Sequence, residues 1–331
     1  MKGLELSRRY YEEVGRPMLE KNFPEYLPRI AVGLVGEGSE CLGFDDGISR
    51  DHDFGPGFCM WLTKTDYETI GEKLQRAYEE LPGEFMGIPA RNTSRRGGGR
   101  VGVLEISSFY RQFIGDEQPP ASLMRWLYLP EHKLAMAVNG EVFEDPLGEF
   151  SKVRRVLASF YPEDVRIKKI AARAAVMAQS GQYNYGRCMR RGDTVAAGMA
   201  LAEFVKSSIS MIYLLNRWYT PYYKWAFHGL QERAEEPGMV IPEAADLLER
   251  LSRLGDQSAA WEEPHPDGWN PYVNLQDRKV VLIEKLCSRV IEELKRQNLT
   301  NGPEDFLEAH TWNIMGRIQD PTLRRCHVME G

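Results

Sequence analysis

Apolar and polar positions alternate along this chain in two different rhythms. Residues 6–22 (LSRRYYEEVGRPMLEKN) carry the spacing of an amphipathic helix, with Gly15-Arg16-Pro17 set to bend or interrupt it. The apolar run Ile30-Ala31-Val32-Gly33-Leu34-Val35 predicts a strand over 29–35. A second strand is expected over 54–63 (FGPGFCMWLT), weakened at its start by Gly55, Pro56 and Gly57. The stretch 65–80 predicts a helix, with Thr65 as N-cap and Glu68 completing a capping box. A basic, glycine-rich loop, ARNTSRRGGGR, leads into VGVLEISSF, where a third strand is expected over 101–107. Residues 133–144 (KLAMAVNGEVFE) predict a hairpin turning at Asn139-Gly140.

After Asp145-Pro146 the rhythm changes. Apolar positions recur at i, i+3 and i+4 through KKIAARAAVMAQSGQ, TVAAGMALAEFVKSSISMIYLLNRW, EAADLLERLSRL and RKVVLIEKLCSRVIEELKRQ. The expectation is an α+β chain of two domains. Residues 1–148 would form a mixed sheet with flanking helices, and residues 149–331 an all-α helical bundle.

Composition narrows the function classes only a little. At 331 residues, 43% hydrophobic and 27% charged, the chain suits two ordinary globular domains. Its net charge of −6 argues against a general nucleic-acid coat, which needs lysine and arginine to neutralise phosphates. No apolar stretch is expected to span a bilayer, and MKGLELSRRYYEEV lacks the apolar middle of a secretory signal. Five scattered cysteines without CxxC spacing disfavour a disulfide framework or a zinc site. The expected location is the cytoplasm, with no membrane partner.

The chemistry concentrates in GEGSECLGFDDGISRDHDFG, residues 36–55. A Gly-Ser pair closing a strand turns backbone N–H groups toward an anion: Gly38 lets the backbone approach, and Ser39 adds a hydroxyl. Asp51 and Asp53, at i and i+2, would project from one face of a strand. Adjacent carboxylates repel unless a cation lies between them, and paired hard oxygens suit Mg²⁺. Glu105, alone among apolar residues in VGVLEIS, is costly to bury unless a charge meets it. On a strand beside the aspartates it would complete a two-metal phosphoryl-transfer centre.

Gly38-Ser39, then Asp51-His52-Asp53 beginning twelve residues after the serine, then Glu105 on a later strand, resembles the DNA polymerase β-type nucleotidyltransferase superfamily. The order of parts is similar to its small-substrate branch, which includes the kanamycin and streptomycin nucleotidyltransferases. The motif likeness covers roughly residues 30–107. The resemblance implies a nucleotidyltransferase-type sheet in which Gly38 and Ser39 hold a nucleoside triphosphate, ATP favoured. It further implies that Asp51, Asp53 and Glu105 bind two Mg²⁺ ions, or Mn²⁺ in their place. Arg50 is placed to reach a phosphate, although a surface arginine is the simpler account.

In the helical half, Glu203 and Lys206 interrupt an apolar pattern. Three apart on one helix, they are explained equally by an ion pair. The functional alternative has Lys206 meeting the triphosphate, Glu203 orienting or deprotonating the acceptor, and Arg187 with Arg191 adding charge for phosphates. The aromatic surround from Tyr183 to Trp225 is expected to be mostly core.

The function expected is a magnesium-dependent transfer of a nucleoside monophosphate from an NTP to a hydroxyl or amine, with release of pyrophosphate. A small-molecule acceptor lying in a cleft between the two domains is favoured over a protein or tRNA. Two alternatives stand beside it: a non-catalytic nucleotide-binding protein, and an interaction protein of the toxin–antitoxin kind.

Overall fold

The computed structural model describes residues 1–50, 53–91, 98–262 and 273–331. The chain forms two compact units, one of Met1–Ala121 with Leu129–Phe160 and the other of Ser122–Tyr128 with Tyr161–Gly331.

The first unit begins with helices α1 (Gly3–Tyr10) and α2 (Arg16–Asn22), joined through a π turn at Tyr11–Gly15. The expected interruption is therefore real, and it falls just before Pro17. Proline has no N–H for the carbonyl four residues back, and the Arg16 N–H reaches five back, to Tyr11. Gly15 is needed there, because a Cβ would come within 2.3 Å of the Phe58 ring.

Then follow β1 (Ala31–Leu34), the short α3 (Ser39–Leu42), β2 (Cys59–Leu62), α4 (Lys64–Glu79), β3 (Gly102–Glu105) and α5 (Ile106–Ile114). The chain leaves this unit for α6 (Leu123–Tyr128), then returns for α7 (Glu131–Val138), β4 (Glu141–Glu144) and α8 (Glu149–Ala158). The sheet order is β3-β2-β1-β4. β1 runs antiparallel to β2 and β4, while β2 and β3 are parallel and connected through α4. The fold is thus α+β around a small mixed sheet.

Pleating sends alternate residues to opposite faces. Val32 lies opposite Met60, and together with Leu62 they join a core with Tyr10, Tyr11, Leu19, Phe23, Ile70 and Leu74. On the other face the Trp61 ring stacks on Phe150 at 4.0 Å and meets Phe109 edge-on at 5.4 Å. Each such fully buried side chain contributes about 1.5–3 kcal/mol. Phe150 belongs to α8, so α8 is bound to the sheet. The division accordingly falls after Phe160 rather than near residue 148.

Two local expectations are corrected. The N-cap of α4 is Thr63, not Thr65: its Oγ1 accepts from the Asp66 N–H at 3.3 Å and donates to the Asp66 carboxylate at 2.8 Å. The expected Thr65–Glu68 box does not form; Thr63 and Asp66 are joined instead through the Thr63 hydroxyl. The 133–144 hairpin does not form. EHKLAMAV holds mainly residues of low helical cost and makes α7, leaving only the second half of the segment as strand. Asn139-Gly140 is a helix-to-strand turn, and a Cβ at Gly140 would sit 2.0 Å from the Leu34 carbonyl oxygen.

The second unit is helical: α9 (Glu163–Met177), a π segment (Ala178–Tyr185), α10 (Gly186–Arg190), α11 (Thr194–Leu215), α12 (Tyr223–Arg233), α13 (Ala244–Arg253), α14 (Arg278–Arg296), α15 (Thr311–Met315) and α16 (Pro321–Arg325). α9 is buried nearly all round and is packed by α6, α11 and α15. Asp193 caps α11, its carboxylate accepting from the Ala196 N–H at 3.0 Å. By length and composition α11 is sufficient to cross a membrane, contrary to the expectation from sequence. Its second half, from Ser207 to Leu215, is buried against neighbouring helices. Of the aromatic surround, Tyr185 is core, whereas Tyr222 and Tyr223 are exposed.

Candidate functional site

β1 ends at Leu34, and the backbone then turns through Gly36 and Gly38, at φ of +123° and +125°, into α3. Those angles are strained for any residue with a side chain. The turn is pinned from one side by Asn139. Its carboxamide accepts from the Gly36 N–H and donates to the Gly36 carbonyl, both at 2.8 Å. Among the described residues, the N–H groups of Gly38 and Ser39 and the Ser39 hydroxyl have no hydrogen-bond partner. Gly38 and Ser39 are partly exposed. The turn therefore presents donors, as its sequence leads one to expect.

Behind the turn lies a buried ionic layer. Glu40 is buried, with Oε1 accepting from Arg91 Nη1 at 2.7 Å. Burial pushes its carboxyl above the usual range, while Arg91 pulls it back part of the way. Asp45 is also buried and accepts from the Gly3 N–H at 3.0 Å, at the start of α1. Among the described residues Glu40 Oε2 and Asp45 Oδ1 have no partner. Arg91 binds onward to the carbonyls of Asp53 (2.6 Å) and Gly55 (3.1 Å). It is thus a buried tie, not a surface arginine of a basic loop.

Asp53 does not lie on a strand. It sits in a bend at φ +54°, six residues before β2 begins, so the expected i, i+2 pairing on a strand face does not apply to it. Its Oδ2 meets Arg100 Nη1 at 3.0 Å. Arg100 Nη2 lies 3.6 Å from Glu37 Oε2, within the glycine turn. Lys133 Nζ, from α7, lies 3.6 Å from Glu37 Oε1. One arginine therefore joins the turn to the acid. Asp51 and His52 lie outside the described residues, as do Arg95 and Arg96 of the basic loop.

Glu105 goes elsewhere. β2 and β3 pair in parallel, Cys59 beside Gly102 and Leu62 beside Glu105. Glu105 is thus at the far end of the ladder from Arg100 and the acid that Arg100 holds. Three residues of strand span about 10 Å. Its carboxylate caps α5: Oε1 accepts from the Ser107 N–H at 2.9 Å, and Oε2 from the Ser108 N–H and hydroxyl at 2.7 and 2.6 Å. Burial pushes the carboxyl up, but those hydrogen bonds together outweigh it and hold it below the usual range. The charge that meets this strand acid is a helix N-terminus. Among the described residues no three acidic, histidine or cysteine side chains gather as a metal site. Of the three acids expected to share two ions, the two among the described residues, Asp53 and Glu105, lie apart and have other partners.

The remaining expected residues are placed as follows. Arg50 donates to the Met1 carbonyl at 2.6 Å, lies 3.6 Å from Asp45 and stacks on Phe54, so it ties the acidic loop to the chain start. Glu203 and Lys206 form the intrahelical pair, 3.5 Å apart on the exposed side of α11. Arg187 lies over the Tyr183 ring at 4.6 Å. Sequence reasoning missed Glu37, Glu40, Arg91, Arg100 and Lys133 as a connected set. Their only signal was charge beside glycine or apolar runs.

A family model described as a domain of unknown function, DUF4037, matches residues 126–226. That stretch is 101 of the 331 residues and contains Arg187, Glu203 and Lys206, but neither the glycine turn nor Asp53. No curated protein and no solved structure matches the chain.

Proposed function

We propose that the chain is a nucleotidyltransferase that moves a nucleoside monophosphate from an NTP, ATP favoured, to a hydroxyl or amine, with a small-molecule acceptor favoured. The observation that carries this reading is Arg100, which bridges Glu37 in the glycine turn and Asp53. It sets the donor-bearing turn and one motif acid within a single side chain's reach. The N–H groups of Gly38 and Ser39, with the Ser39 hydroxyl, would take phosphate oxygens, and Arg100 would offset their charge. The acceptor oxygen or nitrogen attacks the α-phosphorus, the bond to the bridging oxygen breaks, pyrophosphate leaves with the electron pair, and the acceptor's proton passes to water. Magnesium would neutralise the polyphosphate in such a reaction. Glu105 has no part in this proposal; its carboxylate is committed to α5.

The test is pyrophosphate release by the full chain with each NTP, magnesium and a panel of aminated and hydroxylated acceptors. Ser39→Ala and Asp53→Asn should each lower turnover by about 10²-fold or more, the scale set by loss of a positioned charge or donor. Undiminished turnover in Asp53→Asn would sink the assignment.

A second reading has a specific observation in its favour. Asp53 is already charge-paired with Arg100, and Glu105 is already satisfied by a helix. A chain that binds a nucleotide without turning it over needs neither acid for a metal. Saturable NTP binding without pyrophosphate release under any acceptor condition would select that reading.

A further inference from the structure

Glu37 is held in an unusual way. Its carboxylate lies between Arg100 and Lys133, 3.6 Å from each, too far for a hydrogen bond to either. All three side chains are partly exposed, so a ligand has access to the cations. Glu37 is flanked by Gly36 and Gly38, whose backbones tolerate angles closed to other residues. Asn139 fixes Gly36 from behind, so the Glu37 side chain has freedom to swing without moving the strand. Next to it are the unpartnered N–H groups of Gly38 and Ser39.

We propose that Glu37 is a built-in competitor for a polyphosphate site: its carboxylate occupies the space between Arg100 and Lys133 that a ligand phosphate fills, and it swings out when the ligand enters. The inference deepens the nucleotidyltransferase reading and rests on it for the identity of the ligand as a nucleotide tail. The charge count supports it. Glu37 and Asp53 balance Arg100 and Lys133 in the resting chain, and displacement of Glu37 leaves one positive charge for an incoming phosphate. A phosphate group offers more oxygens than a carboxylate, so it satisfies both cations and the N–H groups together. The arrangement disfavours weakly charged anions, which cannot outcompete a tethered carboxylate. Tethering raises the effective concentration of Glu37 to the millimolar range or above.

The experiment is calorimetric titration of the full chain, at low salt, with sodium tripolyphosphate in one arm and ATP in another. Removing one like charge about 4 Å away from the ligand is worth about tenfold in affinity. Glu37→Gln should therefore bind tripolyphosphate about tenfold more tightly than the wild type, and Glu37→Ala should do the same. Lys133→Met should abolish that gain when combined with Glu37→Gln. Equal or weaker binding by both Glu37 variants overturns the proposal, as does a gain that persists without Lys133. Tighter ATP binding with no matching gain for tripolyphosphate also overturns it, because the effect would then lie at the base or sugar. The enzyme reading fails separately: if tripolyphosphate behaves as stated and no NTP releases pyrophosphate, the anion site stands without the transferase.

Discussion

The glycine turn and the middle of α11 both set charged residues into apolar sequence, and they neutralise that charge in opposite ways. Around the turn, partners come from far along the chain: Glu40 with Arg91, 51 residues away, and Asp53 with Arg100, 47 away. On α11, Glu203 meets Lys206 three residues on, in solvent. Long-range pairs must overcome loop-closure entropy before they contribute anything, whereas an i, i+3 pair forms with the helix itself. The first region is therefore where the fold organises charge, and the second is where it merely tolerates it.

The largest effect is expected from Arg91→Met. It leaves Glu40 buried without its cation, and loss of one partner of a buried pair costs about 3–5 kcal/mol. Urea unfolding should show this loss, and the loss should depend on pH. Burial already raises the folded pKa of Glu40, and without Arg91 it rises further. A raised folded pKa means stability is greatest below the unfolded carboxyl's pKa and declines as pH climbs toward the folded value. The variant should thus be most nearly wild-type at acid pH. A loss below about 1 kcal/mol at neutral pH would show that water reaches Glu40 and that the ionic layer is not sealed.

Asn139→Ala comes next. It removes both hydrogen bonds to Gly36, at about 1–3 kcal/mol for the buried groups left unsatisfied. It should also loosen the glycine turn, so tripolyphosphate affinity should fall together with the midpoint in urea. If stability falls while affinity holds, the turn is shaped by the strand end alone.

Glu105→Ala separates the two possible employments of that acid. As a cap it is worth about 0.5–2 kcal/mol. Its folded pKa is lowered, so its contribution is present above the unfolded carboxyl pKa and is lost as pH falls through the folded value. Wild type and variant should converge in urea stability at acid pH and differ at neutral pH. Magnesium dependence of nucleotide binding should not change. A changed magnesium dependence would restore Glu105 to the metal centre.

What the sequence made visible follows the range of the interactions. Strand β1, the donor-bearing turn and the helical character of the second half rest on local pattern, and all appear. Glu105 was legible as an acid that needs a charge, but not as a cap, because the strand was expected to run on through Ser107, one of its donors. α7 was hidden by Asn139-Gly140, a strong hairpin signal that here serves a different partner, Gly36, over a hundred residues upstream. The domain division slipped for a similar reason: Phe150 looks like any helix apolar residue until it stacks on Trp61. Arg91, Arg100 and Lys133 could not be assigned at all, since only the folded sheet brings them to Glu40, Asp53 and Glu37.

The smallest effect tests the other half of the comparison. Lys206 and Glu203 are both well exposed, so solvent and salt screen their attraction, and such a pair is worth a few tenths of a kcal/mol. Lys206→Met should leave urea stability unchanged within error, and the small residual difference should vanish in high salt. It should also leave tripolyphosphate and ATP affinity unchanged. That result is informative because the functional alternative demands the opposite: a lysine on a triphosphate supplies a full charge, and its removal would weaken binding about tenfold or more. A drop of that size would move α11 from the tolerated charges to the organised ones, and would make the segment matched by DUF4037 part of the nucleotide site.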